Sequence, residues 1–105
     1  MSLFEKITKL VLYGAVKISE HGYDELAEDG LTVRELVENI LYGIVIEEYE
    51  EYPKGPCILV LQKDRNNTPI HAVWGIPKGY TTPAVLVTAY RPDPGRWSAD
   101  FLRRR

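Results

Sequence analysis

Two histidines, His21 and His71, are the only imidazoles in the chain, and imidazole is the side chain that exchanges protons near neutral pH. His21 stands at the start of a predicted helix. A helix N-terminus disfavours the imidazolium, whereas Asp24 and Glu25 at i+3 and i+4 favour it. The balance of the two suits a general acid/base; the bland alternative is an exposed residue with no role. His71 alternates with Ile70 and Ala72, so it shares a strand face with Val73 and Gly75, while Trp74 points into the core. It either lines a shallow groove at the glycine or lies hydrogen-bonded under a loop. Tyr90 and Arg91 end the last predicted strand just before Pro92, where a break can turn both toward one edge. A tyrosine hydroxyl can relay a proton, and an arginine can clamp a phosphate in the transition state. Lys17 and Arg96 are further candidate substrate contacts.

Other chemistries leave no trace. There is no phosphate-cradling glycine loop, no His-Glu-x-x-His and no nucleophile elbow. One cysteine, Cys57, excludes an intrachain disulfide and any Cys-rich zinc pattern. With two histidines, a metal site would have to recruit carboxylates, so neither metal nor cofactor is expected. No apolar run reaches the roughly 18 residues of a membrane span, and a cytoplasmic protein is expected.

The charge is unevenly spread. Residues 20–51 hold eleven acids against the single base Arg34, and residues 52–105 hold nine bases against three acids. Such a split can orient the molecule toward a polyanion or toward a copy of itself. A pI near 5.7 argues against holding nucleic acid by electrostatics alone.

The elements that must position these residues are legible in the pattern. Ser2-Leu3-Phe4-Glu5 is a capping box for a helix that Gly14 ends, with an apolar stripe of Leu3, Phe4, Ile7, Leu10 and Val11. A brief strand is expected at 15–19. Ser19 caps a second helix to about Glu28, with Tyr23, Leu26 and Ala27 as its apolar side and Gly30 as its end. Thr32-Val33-Arg34-Glu35 is a second capping box, and Val33, Leu36, Val37 and Ile40 continue the stripe to Gly43. Strands are then predicted at 44–52, 57–63, 70–76 and 84–91, the second nearly all apolar and therefore central or covered on both faces. The 105 residues form one domain that buries roughly 65% of its unfolded surface. The predicted class is α+β, with N-terminal helices on one face of a mainly antiparallel sheet of four to five strands.

Several short pieces, in order, resemble the domain-of-unknown-function family 4258 over about residues 15–97. They are Ile18-Ser19-Glu20-His21, Gly30-Leu31-Thr32, Leu41-Tyr42-Gly43 with Val45-Ile46-Glu47, Ile70-His71-Ala72-Val73, and Thr88-Ala89-Tyr90-Arg91-Pro92-Asp93 with Trp97. Residues 1–14 are then an added helix and 98–105 a basic tail. That family looks akin to the small RelE/ParE-type and BrnT-type toxins, so the resemblance implies a RelE-like fold and metal-independent RNA cleavage. A base would activate the ribose 2′-hydroxyl, cations would hold the phosphate, and an acid would protonate the leaving 5′-oxygen. His21, His71 and Tyr90 fall on the family's recurrent positions, with Arg91 beside the last. Arginines common in the family are replaced here by Asp24-Glu25 and Glu28-Asp29. Either this acidic helix faces away from an RNA groove, or nuclease activity is lost.

The leading expectation is therefore a toxin-like RNA endonuclease, with RNA as substrate and an antitoxin or other protein as partner. In it His21 and His71 exchange protons, Tyr90 supports or replaces one, and Arg91 holds the phosphate. The alternative is a non-catalytic protein-binding or self-associating module, in which Glu47, Glu48, Glu50 and Glu51 of one copy meet Arg103–Arg105 of another as a homodimer.

Overall fold

The computed structural model describes residues 1–105. In chain order the elements are α1 (Leu3–Leu12), β1 (Val16–Ile18), α2 (Glu20–Asp29), α3 (Val33–Asn39), a 3-10 turn at Ile40–Tyr42, β2 (Ile44–Tyr49), β3 (Cys57–Lys63), β4 (Pro69–Gly75) and β5 (Ala84–Tyr90). The strands make one five-stranded sheet in the order β1-β5-β4-β3-β2. Hairpin-linked β2, β3, β4 and β5 pair antiparallel, and β1 adds to β5 in parallel. The protein is α+β, with its helices toward the N-terminus. No helix is long and apolar enough to cross a membrane.

The helix starts follow from their caps. The Ser2 hydroxyl accepts from the Glu5 N–H at 3.1 Å, and the Glu5 carboxylate accepts from the Ser2 N–H at 3.3 Å. Thr32 accepts from the Glu35 N–H at 3.2 Å; its own hydroxyl donates to the Glu35 carboxylate, so only half of the predicted box forms. Ser19 has two tasks: it accepts from the Gly22 N–H and donates to the Val87 carbonyl at 2.7 Å. That contact pulls the first turn of α2 onto β5, where a Cβ at Gly22 would stand 2.9 Å from the Leu86 carbonyl oxygen.

This close approach corrects one reading of the sequence. Gly22 and Leu26 are the buried residues of α2, whereas Tyr23 and Ala27 are exposed. The helix turns its small residue to the sheet because backbone contact, not side-chain interdigitation, sets its distance there.

One face of the sheet meets the helices. Ile58, Val60, Ile70, Ala72, Trp74, Leu86 and Ala89 pack there against Ile7, Val11, Leu26, Leu36 and Ile40. Gln62 is the buried polar side chain of the sheet on this side, and Thr8 of α1 is buried with its hydroxyl donating to the Glu5 carbonyl. Gln62 donates to the Leu36 carbonyl and accepts from the Trp74 indole N–H, both at 2.8 Å, so both partners are satisfied.

The opposite face carries Leu59, Leu61, His71, Val73 and Tyr90, joined by Glu47 and Tyr49 of β2. A bulge between Val45 and Glu47 sends Glu47 there. Without it, Glu47 would share the helix side with Val45. What covers this face is the C-terminal segment. After a turn closed by the Arg96 N–H on the Asp93 carbonyl, Trp97 to Arg105 folds back as a small hairpin, with Trp97 bridged to Arg104 and Phe101 at φ +62°. The segment expected to be an irregular basic tail is thus an ordered strap. β3 is buried on both faces, as its apolar run predicts.

Candidate functional site

Register places His71 directly beside Tyr90, with ring centroids 5.8 Å apart in an edge-to-face arrangement. The Trp97 ring meets the other side of His71 at 4.4 Å, nearly perpendicular. The imidazole is 0% exposed. Its Nε2 lies 2.9 Å from the Phe101 carbonyl oxygen, an acceptor, so the proton of the neutral ring sits on Nε2. Nδ1 is left as a buried lone pair without a partner. Burial lowers the His71 pKa below its ordinary value and the Phe101 carbonyl opposes the shift only in part. His71 is therefore a neutral base held under the strap.

Burial likewise raises the pKa of Tyr90, keeping its phenol protonated. Tyr90 forms a wall of an open cleft of about 670 Å³ whose other walls are Arg91, Arg96, Trp97, Arg104 and Arg105, with Asp93 as the one acid. Four arginines against one acid give the cleft a positive lining, which suits an anion with several oxygens.

The arginines differ in how freely they can serve it. Arg96 is mostly exposed, with Asp93 3.9 Å away. Arg91 is committed to the fold: its guanidinium donates to the Asp64 carboxylate at 2.8 Å, and its backbone N–H donates to Asp29 at 2.9 Å. Burial pushes the Asp64 pKa up, but the N–H groups of Thr68 and Asn66 and the Arg91 guanidinium outweigh it and hold the carboxyl below its ordinary value. Arg104 stacks over Trp97 at 4.9 Å and pairs with the Glu47 carboxylate, which also accepts from the Tyr49 hydroxyl.

Of the residues singled out in the sequence, Tyr90, Arg91 and Arg96 come together in the cleft, and His71 stands behind Tyr90 under the strap. His21 does not join them. It lines a cavity of about 390 Å³ with Lys54, Cys57, Gly75 and Val85, and its Nε2 is 3.5 Å from Glu25. Gly75 lies four residues from His71 along β4, about 13 Å at the rise of an extended strand. Lys17 lines a third hollow with Glu20, Tyr80 and Pro83. No three His, Cys, Asp or Glu side chains converge as a metal-holding group.

Sequence reasoning missed Glu47 and Tyr49 as neighbours of the site, because their facing depends on the bulge. It also missed Asp64 as the partner of Arg91. The one signal for Asp64 was its place opposite Thr68 at the mouth of the β3–β4 hairpin, where an arginine from the neighbouring strand end could reach it. No residue of α2 lines the cleft, although Asp29 at the end of that helix accepts from the Arg91 backbone N–H.

The model of one protein family, Domain of unknown function (DUF4258), matches residues 18–91, from β1 through Arg91. No curated protein and no solved structure matches the chain. The strap, residues 97–105, lies beyond the matched segment and is built on top of it. The match spans well over half of the sequence and includes His21, His71, Tyr90 and Arg91: the chain belongs to the DUF4258 family.

Proposed function

We propose that the protein is a RelE-like, toxin-type RNA-acting protein that binds single-stranded RNA in the Tyr90 cleft and cleaves it without a metal ion. The observation that carries this reading is a protonated tyrosine set among four arginines in one open cleft. The guanidinium groups of Arg96, Arg104 and Arg105 would hold the phosphodiester oxygens and stabilise their extra charge in the transition state. Tyr90 would give its proton to the leaving 5′-oxygen. The 2′-oxygen would form the new bond to phosphorus as the bond to the 5′-oxygen breaks, and its proton would pass to neutral His71. The base and the acid are adjacent in register, which suits two proton transfers on one phosphate.

The test is incubation of the purified protein with end-labelled single-stranded RNA in excess chelator. Fragments ending in 2′,3′-cyclic phosphate are expected, together with their loss in Tyr90→Phe while RNA affinity is kept. RNA that is neither bound nor cut would sink the reading.

A second reading, a protein-binding module, has its own observation. Leu41, Tyr42 and Ile44 are exposed at the start of edge strand β2, where a partner such as an antitoxin could add. The self-associating version loses one of its contacts, since Arg104 already meets Glu47 within the same chain.

A further inference from the structure

We propose that residues 97–105 are an autoinhibitory strap, and that release of the Arg104–Glu47 pin uncovers His71 for the reaction. The proposal rests on the RNA reading of the Tyr90 cleft and adds its regulation.

Three observations carry it. The strap covers His71 on this face: Trp97 lies against the ring, Phe101 caps Nε2 with its carbonyl, and nothing fills the hydrogen-bonding capacity of Nδ1. A buried imidazole left half-satisfied is a poor core residue, and in a stable core such groups are nearly always paired. Second, beside the buried Trp97 indole, the strap is held by an ion pair that water and salt can loosen. Arg104 is the pin, with one side on Glu47 and the other on Trp97, and its side chain is 60% exposed. Such a pair is worth little on its own and is screened by salt. Third, the strap turns back at Phe101, whose φ of +62° is a backbone conformation that a residue with a Cβ adopts at a cost. Hydrogen bonds from the Ser98 N–H to the Arg103 carbonyl and from the Arg105 N–H to the Arg96 carbonyl keep the hairpin itself intact, so it can lift as a unit.

The physical consequence is a coupling between substrate and opening. Arg104 lines the cleft and is also the pin. A phosphodiester entering the cleft competes with the Glu47 carboxylate for the same guanidinium. Whenever it wins, the strap loses its anchor and the base behind Tyr90 becomes accessible. Ligand binding shifts an equilibrium only through such differential contacts, and here the competing contact is named.

His21 serves as an internal reference, because its side chain is 66% exposed. Diethylpyrocarbonate modification of both histidines, read by peptide mass spectrometry, measures opening without any need for activity. In the unaltered protein His71 should react at least about tenfold more slowly than His21, the mark of a closed local structure. Glu47→Gln removes the pin without taking a cation from the cleft, and should speed His71 modification about fivefold, the factor one exposed ion pair supports. The paired exchange Glu47→Arg with Arg104→Glu should return the protection. Deleting residues 97–105 should bring His71 close to the rate of His21, with circular dichroism confirming that the sheet persists. Equal rates for the two histidines in the unaltered protein overturn the strap. So does unchanged protection in a folded Glu47→Gln variant. The RNA reading is tested separately in the same samples. In Glu47→Gln, which keeps every cleft arginine, exposed His71 with no RNA bound or cut sinks that reading and leaves the strap standing, whereas RNA cut while His71 stays protected sinks the strap and the role of His71 as the base.

Discussion

The two faces of the sheet are covered in different ways. On one side, α1, α2 and α3 lay apolar side chains over Ile58, Ile70, Trp74 and Leu86, and the buried polar group of the sheet, Gln62, has both ends hydrogen-bonded. On the other, a nine-residue hairpin covers His71, Tyr90 and Glu47 through one carbonyl, one indole and one ion pair. The first cover is continuous hydrocarbon, whose burial contributes about 25 cal/mol per Å² regardless of salt. The second combines one buried indole with a salt-sensitive ion pair and leaves a nitrogen unpaired. A small domain can carry such a face because the opposite one supplies enough stability to hold the fold.

The comparison breaks most easily on the helix side. Trp74→Ala should cost about 3–5 kcal/mol, read as a lower midpoint in urea unfolding, because it opens a cavity in a fully buried position and orphans Gln62. Gln62→Leu should cost about 2 kcal/mol, since the Trp74 N–H and the Leu36 carbonyl are both left unpaired in the core. A value near zero for either would mean that this face does not carry the stability assigned to it.

The strap side should show its character in pH rather than in large losses. The His71 pKa is lowered on folding from an ordinary value of 6.5, so the native state binds fewer protons than the unfolded chain. Its contribution is complete above pH 6.5 and is lost as pH falls through the lowered folded value. Thermal midpoints should therefore drop as pH falls below 6.5, and His71→Phe should flatten that slope. An unaltered slope in the variant would assign the acid sensitivity elsewhere.

The smallest effect sharpens the reading of the cleft. Arg96 is exposed and touches only Asp93 weakly, so Arg96→Ala should leave stability within about 0.5 kcal/mol. In RNA binding it should lower the salt dependence by about one phosphate contact. Arg91→Ala should behave in the reverse way, weakening the fold through orphaned Asp64 more than it weakens RNA binding, because its guanidinium is already spent on that carboxylate.

Much of the architecture was legible because its causes are local. Serine and threonine caps, glycine stops and the change from a 3.6 to a 2 period mark α1, α3 and the four later strands to within a few residues. The limits of α2 were legible too, but not its buried face. Tyr23 looked like core by type, and the contact of Gly22 with the Leu86 carbonyl depends on how closely two distant elements approach.

The candidate site divides in the same way. The sequence by itself determined that Tyr90 and Arg91 end a strand, that His71 faces away from Trp74, and that arginines collect at the C-terminus, since alternation and composition need no partner. Only the tertiary structure decided that His71 pairs with Tyr90 while His21 lines another cavity, that a bulge swings Glu47 to the same face, and that the last nine residues close over them. Those outcomes depend on strand register, on one extra residue in β2, and on contacts between residues as far apart in the chain as Glu47 and Arg104, which no local pattern encodes.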